Sequence, residues 1–333
     1  SGIDEVGLAP QGLVLSADSS RLFIHNFMSR DVAVYDVADV GQGNNFPLLA
    51  RINTVAVELL TPQVLLGKQV FYNAADRRMS RDRYISCALC HLDGDSDGRV
   101  WDFMHRGEGL RNTISLIGRG GMRQGPVHWS ANFDEIQDFE NDIRSDFGGL
   151  GFMRNLAFSQ RSDPLGLSKA GQSPPLDALA AYVASLRKSP ASPHRNADGT
   201  MTADALAGQT IFRSTAAGCL ECHAGPQLTD SDLRANPYIL HDVGTITPAS
   251  GYRIGVLLTG FDTPTLKNLW ETAPYLHDGS AATLMDVITT KNPDDRHGRT
   301  SHLTVAEREQ LVAYLLQIEN FRLQTWTPMA TSI

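Results

Sequence analysis

Four cysteines occur in the chain, and their placement constrains the fold more than any other feature. They form two pairs, Cys87-Ala88-Leu89-Cys90-His91 and Cys219-Leu220-Glu221-Cys222-His223, each closed by a histidine. Two thiols one helical turn apart can bond the vinyl groups of a haem, and the adjacent imidazole can reach the iron. That spacing is the attachment pattern of c-type haem. A structural zinc shared by the pairs would draw thiols from sites 132 positions apart and would give the repeated histidine no role. A thioredoxin-like redox pair would need a βαβ pattern, which the sequence lacks. The expectation is two haem c groups, attached at Cys87, Cys90, Cys219 and Cys222, with His91 and His223 as proximal iron ligands.

An internal repeat frames both motifs. Leu66-Gly67-Lys68-Gln69-Val70-Phe71, closing a helical stretch from Pro62, matches Leu206-Ala207-Gly208-Gln209-Thr210-Ile211-Phe212. Downstream, Leu179–Leu186 matches Leu311–Ile318, with apolar residues three and four apart as an amphipathic helix requires. The repeating unit is helix, haem motif, long insert and terminal helix. The Pro/Ser/Gly-rich run 189–199 reads as the linker, and Thr202 as the cap of the following helix. The predicted fold is mainly α: two cytochrome c-type haem domains, 61–190 and 200–325, with a small N-terminal β element at 1–60. In that element, 9–18, 21–26 and 31–37 alternate like short strands and resemble one β-propeller blade. One blade cannot close a propeller, so it either belongs to a longer array or packs on the haem domains as a small sheet.

Composition excludes some classes. A net charge of −8 argues against nucleic acid as partner. No apolar run is long enough to span a membrane. The start at Ser1 shows no signal-peptide pattern, so a leader is expected to have been removed or omitted, and a periplasmic or secreted bacterial protein is expected.

From Pro62 to about Asn320 the chain resembles the bacterial di-haem cytochrome c peroxidase family, which includes MauG. The resemblance rests on 262–269 (Asp-Thr-Pro-Thr-Leu-Lys-Asn-Leu), on 272–279 (Thr-Ala-Pro-Tyr-Leu-His-Asp-Gly), on Arg111-Asn112-Thr113 and on Trp129. It implies hydrogen peroxide or oxygen activated at the N-terminal haem, with electrons relayed by the C-terminal haem from a small redox protein or a protein substrate. It places Trp129 between the haems, although a core aromatic would fit the same position. It implies one calcium ion held by the Asn112 side chain and the Thr272 and Pro274 carbonyls. A MauG-like or rubber-oxygenase-like oxidase, and a non-enzymatic electron carrier, are the alternatives.

The chain also departs from the family. Ser130 and Ala131 follow the tryptophan, Phe152 stands where the family has its glutamate, and Lys291 occupies the usual sixth-ligand position of the second haem. His297 is the favoured replacement ligand, ahead of His302 and Lys291. His105 is a candidate distal ligand or pocket residue of the first haem. With the family glutamate missing, the acidic stretch 132–140 is expected to form a helix capped by Asn132, and Glu135 or Asp134 is a candidate distal acid. The loop from Asp93 to Gly98 imitates the start of a calcium loop, but Met104 stands where its closing carboxylate belongs, so an exposed acidic turn is expected.

Overall fold

The computed structural model describes residues 7–41 and 46–319; the parts of the expected domains at 1–6, 42–45 and 320–325 lie outside them. Four strands open the chain: β1 (Pro10–Leu15), β2 (Arg21–Asn26), β3 (Asp31–Asp36) and β4 (Leu48–Asn53). They form one antiparallel meander in chain order. Ile24, Ala33, Tyr35 and Val37 make its small core, while β1 and β4 stay exposed along nearly their whole length. β4 was not foreseen, because Leu48-Leu49-Ala50-Arg51-Ile52-Asn53 lacks the alternation that marked the first three.

The first haem-motif unit follows. It contains α1 (Pro62–Tyr72), α2 (Cys87–Cys90), the ribbon β5 (Val100–Asp102) and β6 (Leu110–Asn112), α3 (Phe139–Ser145), α4 (Asn155–Ser159) and α5 (Pro174–Ser185). The second contains α6 (Ala203–Arg213), β7 (Tyr252–Arg253), β8 (Val256–Leu257), α7 (Leu284–Ile288) and α8 (Val305–Leu315). The repeat read in the sequence is a repeat of packing. α1 lies against α5, and α6 against α8. At the two crossings a Cβ on Gly67 would overlap the Ala178 carbonyl, and one on Gly208 the Gln310 carbonyl. Glycine is what lets each helix pair close to backbone contact. Thr61 and Thr202 cap α1 and α6 through their hydroxyls, each cap stabilising by about 1 kcal/mol.

Two separate cores result. Phe71, Met79, Ile143, Leu176 and Leu179 centre one; Phe212, Leu284, Leu311 and Tyr314 centre the other. The mainly-α expectation needs correction. Helix makes up 28% of the chain and strand 14%, a mixed content. The long inserts add only the short helices α3, α4 and α7 and are otherwise largely irregular. They run as turns that wrap the two cavities described next, with glycines in the left-handed region where the chain reverses.

Candidate di-haem site

Each Cys-x-x-Cys-His motif folds as a single tight turn. Cys87–Cys90 is the one-turn α2, and Cys219–Glu221 is a 3₁₀ turn. The His91 and His223 amides close these turns on the Cys87 and Cys219 carbonyls, both near 3 Å. None of the four cysteines is in a disulfide, and all are partly exposed. Each motif lines its own cavity. Cys87, Cys90 and His91 border one of about 370 Å³; Cys219, Cys222 and His223 border another of about 200 Å³. Mostly apolar, enclosed walls with the reactive trio on one side suit haem c.

The second cavity holds a matched pair of imidazoles. His223 Nδ1 lies 3.2 Å from the Leu228 carbonyl. A carbonyl only accepts, so Nδ1 carries the proton and Nε2 is left as the metal-binding nitrogen. The His297 ring faces His223 with centroids 6.3 Å apart and planes 35° from parallel. Two imidazoles on one metal give about 6.2 Å, from metal–nitrogen bonds of about 2.0 Å and about 1.1 Å from nitrogen to ring centre. Burial lowers the pKa of both rings, to about 4 for His297, so both are neutral bases at pH 7. The loop that presents His297 is pinned by Asn292. Its Oδ1 accepts from the His297 amide at 2.8 Å, and its Nδ2 donates to the Gly298 carbonyl at 2.8 Å. Lys291 and His302 lie outside the cavity wall, and His302 is exposed.

The first cavity is different. His128 lines the same cavity as His91 and, after burial, helps lower its pKa; among the described residues no ring pair like that of His223 and His297 forms on His91. Its far wall carries a charged cluster instead. Arg106 bridges Asp142 at 2.7 Å, Asp146 at 2.5 Å and Glu108 at 3.2 Å. Burial pushes the Asp142 carboxyl up, with Arg106 opposing. His105 borders this cavity, but its side chain is 58% exposed and its Nε2 meets Asp146 at 2.9 Å. It is a rim residue of the cluster. Glu108 accepts from Asn132 Nδ2 at 2.7 Å, and Asn132 Oδ1 meets His128 Nδ1 at 2.6 Å.

The acidic stretch corrects the sequence reading. Residues 132–135 are not helical; a 3₁₀ turn starts at Ile136 and α3 at Phe139. Asn132 binds Glu108 and His128, so it caps nothing. Glu135 does not line the cavity. Its carboxylate is consumed by the Ser168 hydroxyl and the Lys169 and Ala170 amides. Neighbouring Asp138 is buried against Lys169 Nζ at 2.6 Å. This segment ties down a loop. The cavity acids the sequence missed, Glu108, Asp142 and Asp146, carried no motif; only the fold brings them to Arg106.

One wall serves both cavities. Asn112, Thr113, Ile114, Arg119, Trp129 and the run 262–265 line both. Trp129 Nε1 donates to the Asn112 carbonyl at 2.9 Å, which fixes the indole there. Asp262, hydrogen-bonded by the Ser231 hydroxyl at 2.8 Å, has its pKa raised to about 7, chiefly by burial. Asn112 Nδ2 contacts the Pro274 carbonyl, and its Oδ1 is buried with no partner. His277 is buried and stacks on Phe261 at 3.9 Å. In the loop at 93–98 Asp93 is exposed, while Asp97 accepts from the Arg99 amide and from Trp101 Nε1.

These features agree with the relatives. A family described as RoxA-like, cytochrome c-like matches residues 260–297. The hydrazine synthase subunit gamma of Kuenenia stuttgartiensis is 34% identical over 264 residues, covering 69% of this chain and 71% of that protein. The solved structure of Kuenenia stuttgartiensis hydrazine synthase under xenon pressure superposes with a TM-score of 0.58 at 30% identity, covering 79% of this chain and 89% of that one. The cytochrome-c peroxidase IdrP2 of a Pseudomonas species is 26% identical over 300 residues, covering 76% and 80%. With two haem-attachment turns, two cavities and this kinship, the chain belongs to the bacterial di-haem cytochrome c peroxidase and MauG family, a family of haem c oxidoreductases.

Proposed function

We propose that the chain is a periplasmic di-haem oxidoreductase that reacts with a small molecule, hydrogen peroxide or oxygen, at the N-terminal site and uses the C-terminal site as an electron relay. The observation that carries this is the asymmetry of the cavities. His297 opposes His223, whereas among the described residues no ring stands against His91 in that way, and His128 on the same wall is held by Asn132. When bound, haem supplies an iron that exchanges electrons with whatever ligand occupies an open face.

The chain's own residues do the rest. Cys87, Cys90 and His91 hold the first haem; Cys219, Cys222, His223 and His297 hold the second. Asp142, its pKa raised by burial against the opposing Arg106, and oriented by Arg106, is placed to give or take a proton at the first cavity. Glu108, Asn132 and His128 form a second hydrogen-bonded chain along the same wall. His105 and Asp146 connect the cluster to solvent. Trp129, lining both cavities, bridges them. The orphaned Asn112 Oδ1 fits one calcium ion with the Thr272 and Pro274 carbonyls, since hard oxygen donors suit that ion. The domain reading keeps 61–190 and 200–325 as the haem domains and 1–60 as a propeller-blade-like sheet, a reading the exposed faces of β1 and β4 support. Among the described residues no helix is long and apolar enough to cross a membrane.

A second reading is favoured by the 34% identity to a hydrazine synthase subunit: the first site handles small nitrogen compounds within a larger assembly. Stopped-flow mixing of the reduced protein with peroxide or oxygen tests the first reading. Two phases are expected, and Trp129→Phe should slow the second at least tenfold while both haem spectra stay unchanged. No reaction with either oxidant, together with hydrazine released from single-nitrogen compounds, would move the assignment to the second reading.

A further inference from the structure

Arg119 is a cation without a counterion. It lines both cavities, and its one side-chain partner is Gln124 Oε1 at 3.1 Å. Among the described residues no carboxylate lies within ion-pair distance of it; Asp95 acts from further away. Protein surrounds the guanidinium, and burial pulls its pKa down to about 10. The surface it keeps is cavity wall. A buried charge left unpaired is costly, so such groups are found paired. A second donor points to the same conclusion. Gln124 lines the first cavity, and its Nε2 is buried with no partner. The half-buried Lys267 ammonium bonds the neutral Gln227 Oε1 at 2.6 Å, and burial, then Arg123 and Arg119, lower its pKa. Arg119 and the donors around it thus gather positive charge, and the shared wall's carboxylate, Asp262, accepts from the Ser231 hydroxyl and not from Arg119.

Haem carries two carboxylates on the porphyrin edge opposite its thioether bonds. The four cysteines each line a single cavity and none belongs to the shared wall, so that wall is free to meet the opposite edge. A guanidinium offers five donors in a planar fork matched to carboxylates. We infer that Arg119 is a common anchor for the propionates of both haems, with Gln124 Nε2 a further donor to the first. One positive charge would then hold up the reduction potentials of both irons together. The inference rests on haem filling both cavities.

The test is redox titration of holoprotein carrying Arg119→Gln, with haem content measured in parallel. Two haems per chain confirm the cavities are filled, independently of Arg119. Loss of the charge should favour the ferric form of both haems, shifting each equilibrium about tenfold, a fall of about 59 mV for a one-electron couple. Unchanged potentials, or a fall at one haem only, would overturn the shared anchor. If Arg119→Gln does not accumulate, Arg119→Lys is read by resonance Raman. Lysine replaces the fork with a point charge, so the propionate bending bands of both haems should move; bands identical to those of the native protein would overturn the inference.

Discussion

Replacing His297 with alanine should convert one of the two haems from low-spin to high-spin and leave the other untouched. The expectation comes from the 6.3 Å between the His223 and His297 ring centres, the separation two imidazoles adopt on one metal. His297 reaches this position because Asn292 clamps its loop from both sides, and Gly298, at φ 76°, turns the chain beneath it. The spectral change should be complete for that haem, since Lys291 and His302 lie off the cavity wall. Visible and magnetic resonance spectra of His297→Ala read it. Imidazole in the sixth position should also hold the second haem at a lower potential than a methionine ligand would. If the variant keeps both native spectra, another residue is the ligand.

The second large effect is on attachment. Thioether bonds survive denaturation, so the native chain should carry two haems on a denaturing gel and by mass. Cys87→Ser with Cys90→Ser should leave one haem per chain, and Cys219→Ser with Cys222→Ser should leave the other. The two losses should be independent, because each motif lines its own cavity and sits on its own helix pair. A native mass showing fewer than two haems would contradict the assignment. So would loss of both haems from a stable variant of one motif.

Much of this was legible in the sequence because it is local. A Cys-x-x-Cys-His turn is specified within five residues, and the repeat around Gly67 and Gly208 was legible as a pattern, although the close helix contacts those glycines allow were not. Thr202 announced its own helix cap. His297 was favoured for a chemical reason, that a neutral imidazole binds iron more readily than the Lys291 ammonium, which must first lose a proton, and the facing His223 and His297 rings support that proposal. What was not legible is long-range. The Arg106 cluster draws Glu108, Asp142 and Asp146 from up to 40 positions apart, with no spacing rule to announce it. Glu135 looked like a pocket acid by charge and proximity to Trp129. The fold turns it toward residues 168–170, where backbone amides satisfy it. The mainly-α expectation was too coarse: the glycine-rich inserts run largely as turns, and the N-terminal sheet and two short ribbons add strand, so the content is mixed.

The central claim is that one iron site is closed by two histidines and the other is open to a small molecule. Electron paramagnetic resonance of the fully oxidised native protein tests it in a single spectrum. One low-spin signal of bis-histidine type and one high-spin signal, in equal amounts, are predicted. Two low-spin signals would mean that the first site is closed as well, and the account of a reactive N-terminal haem would fall.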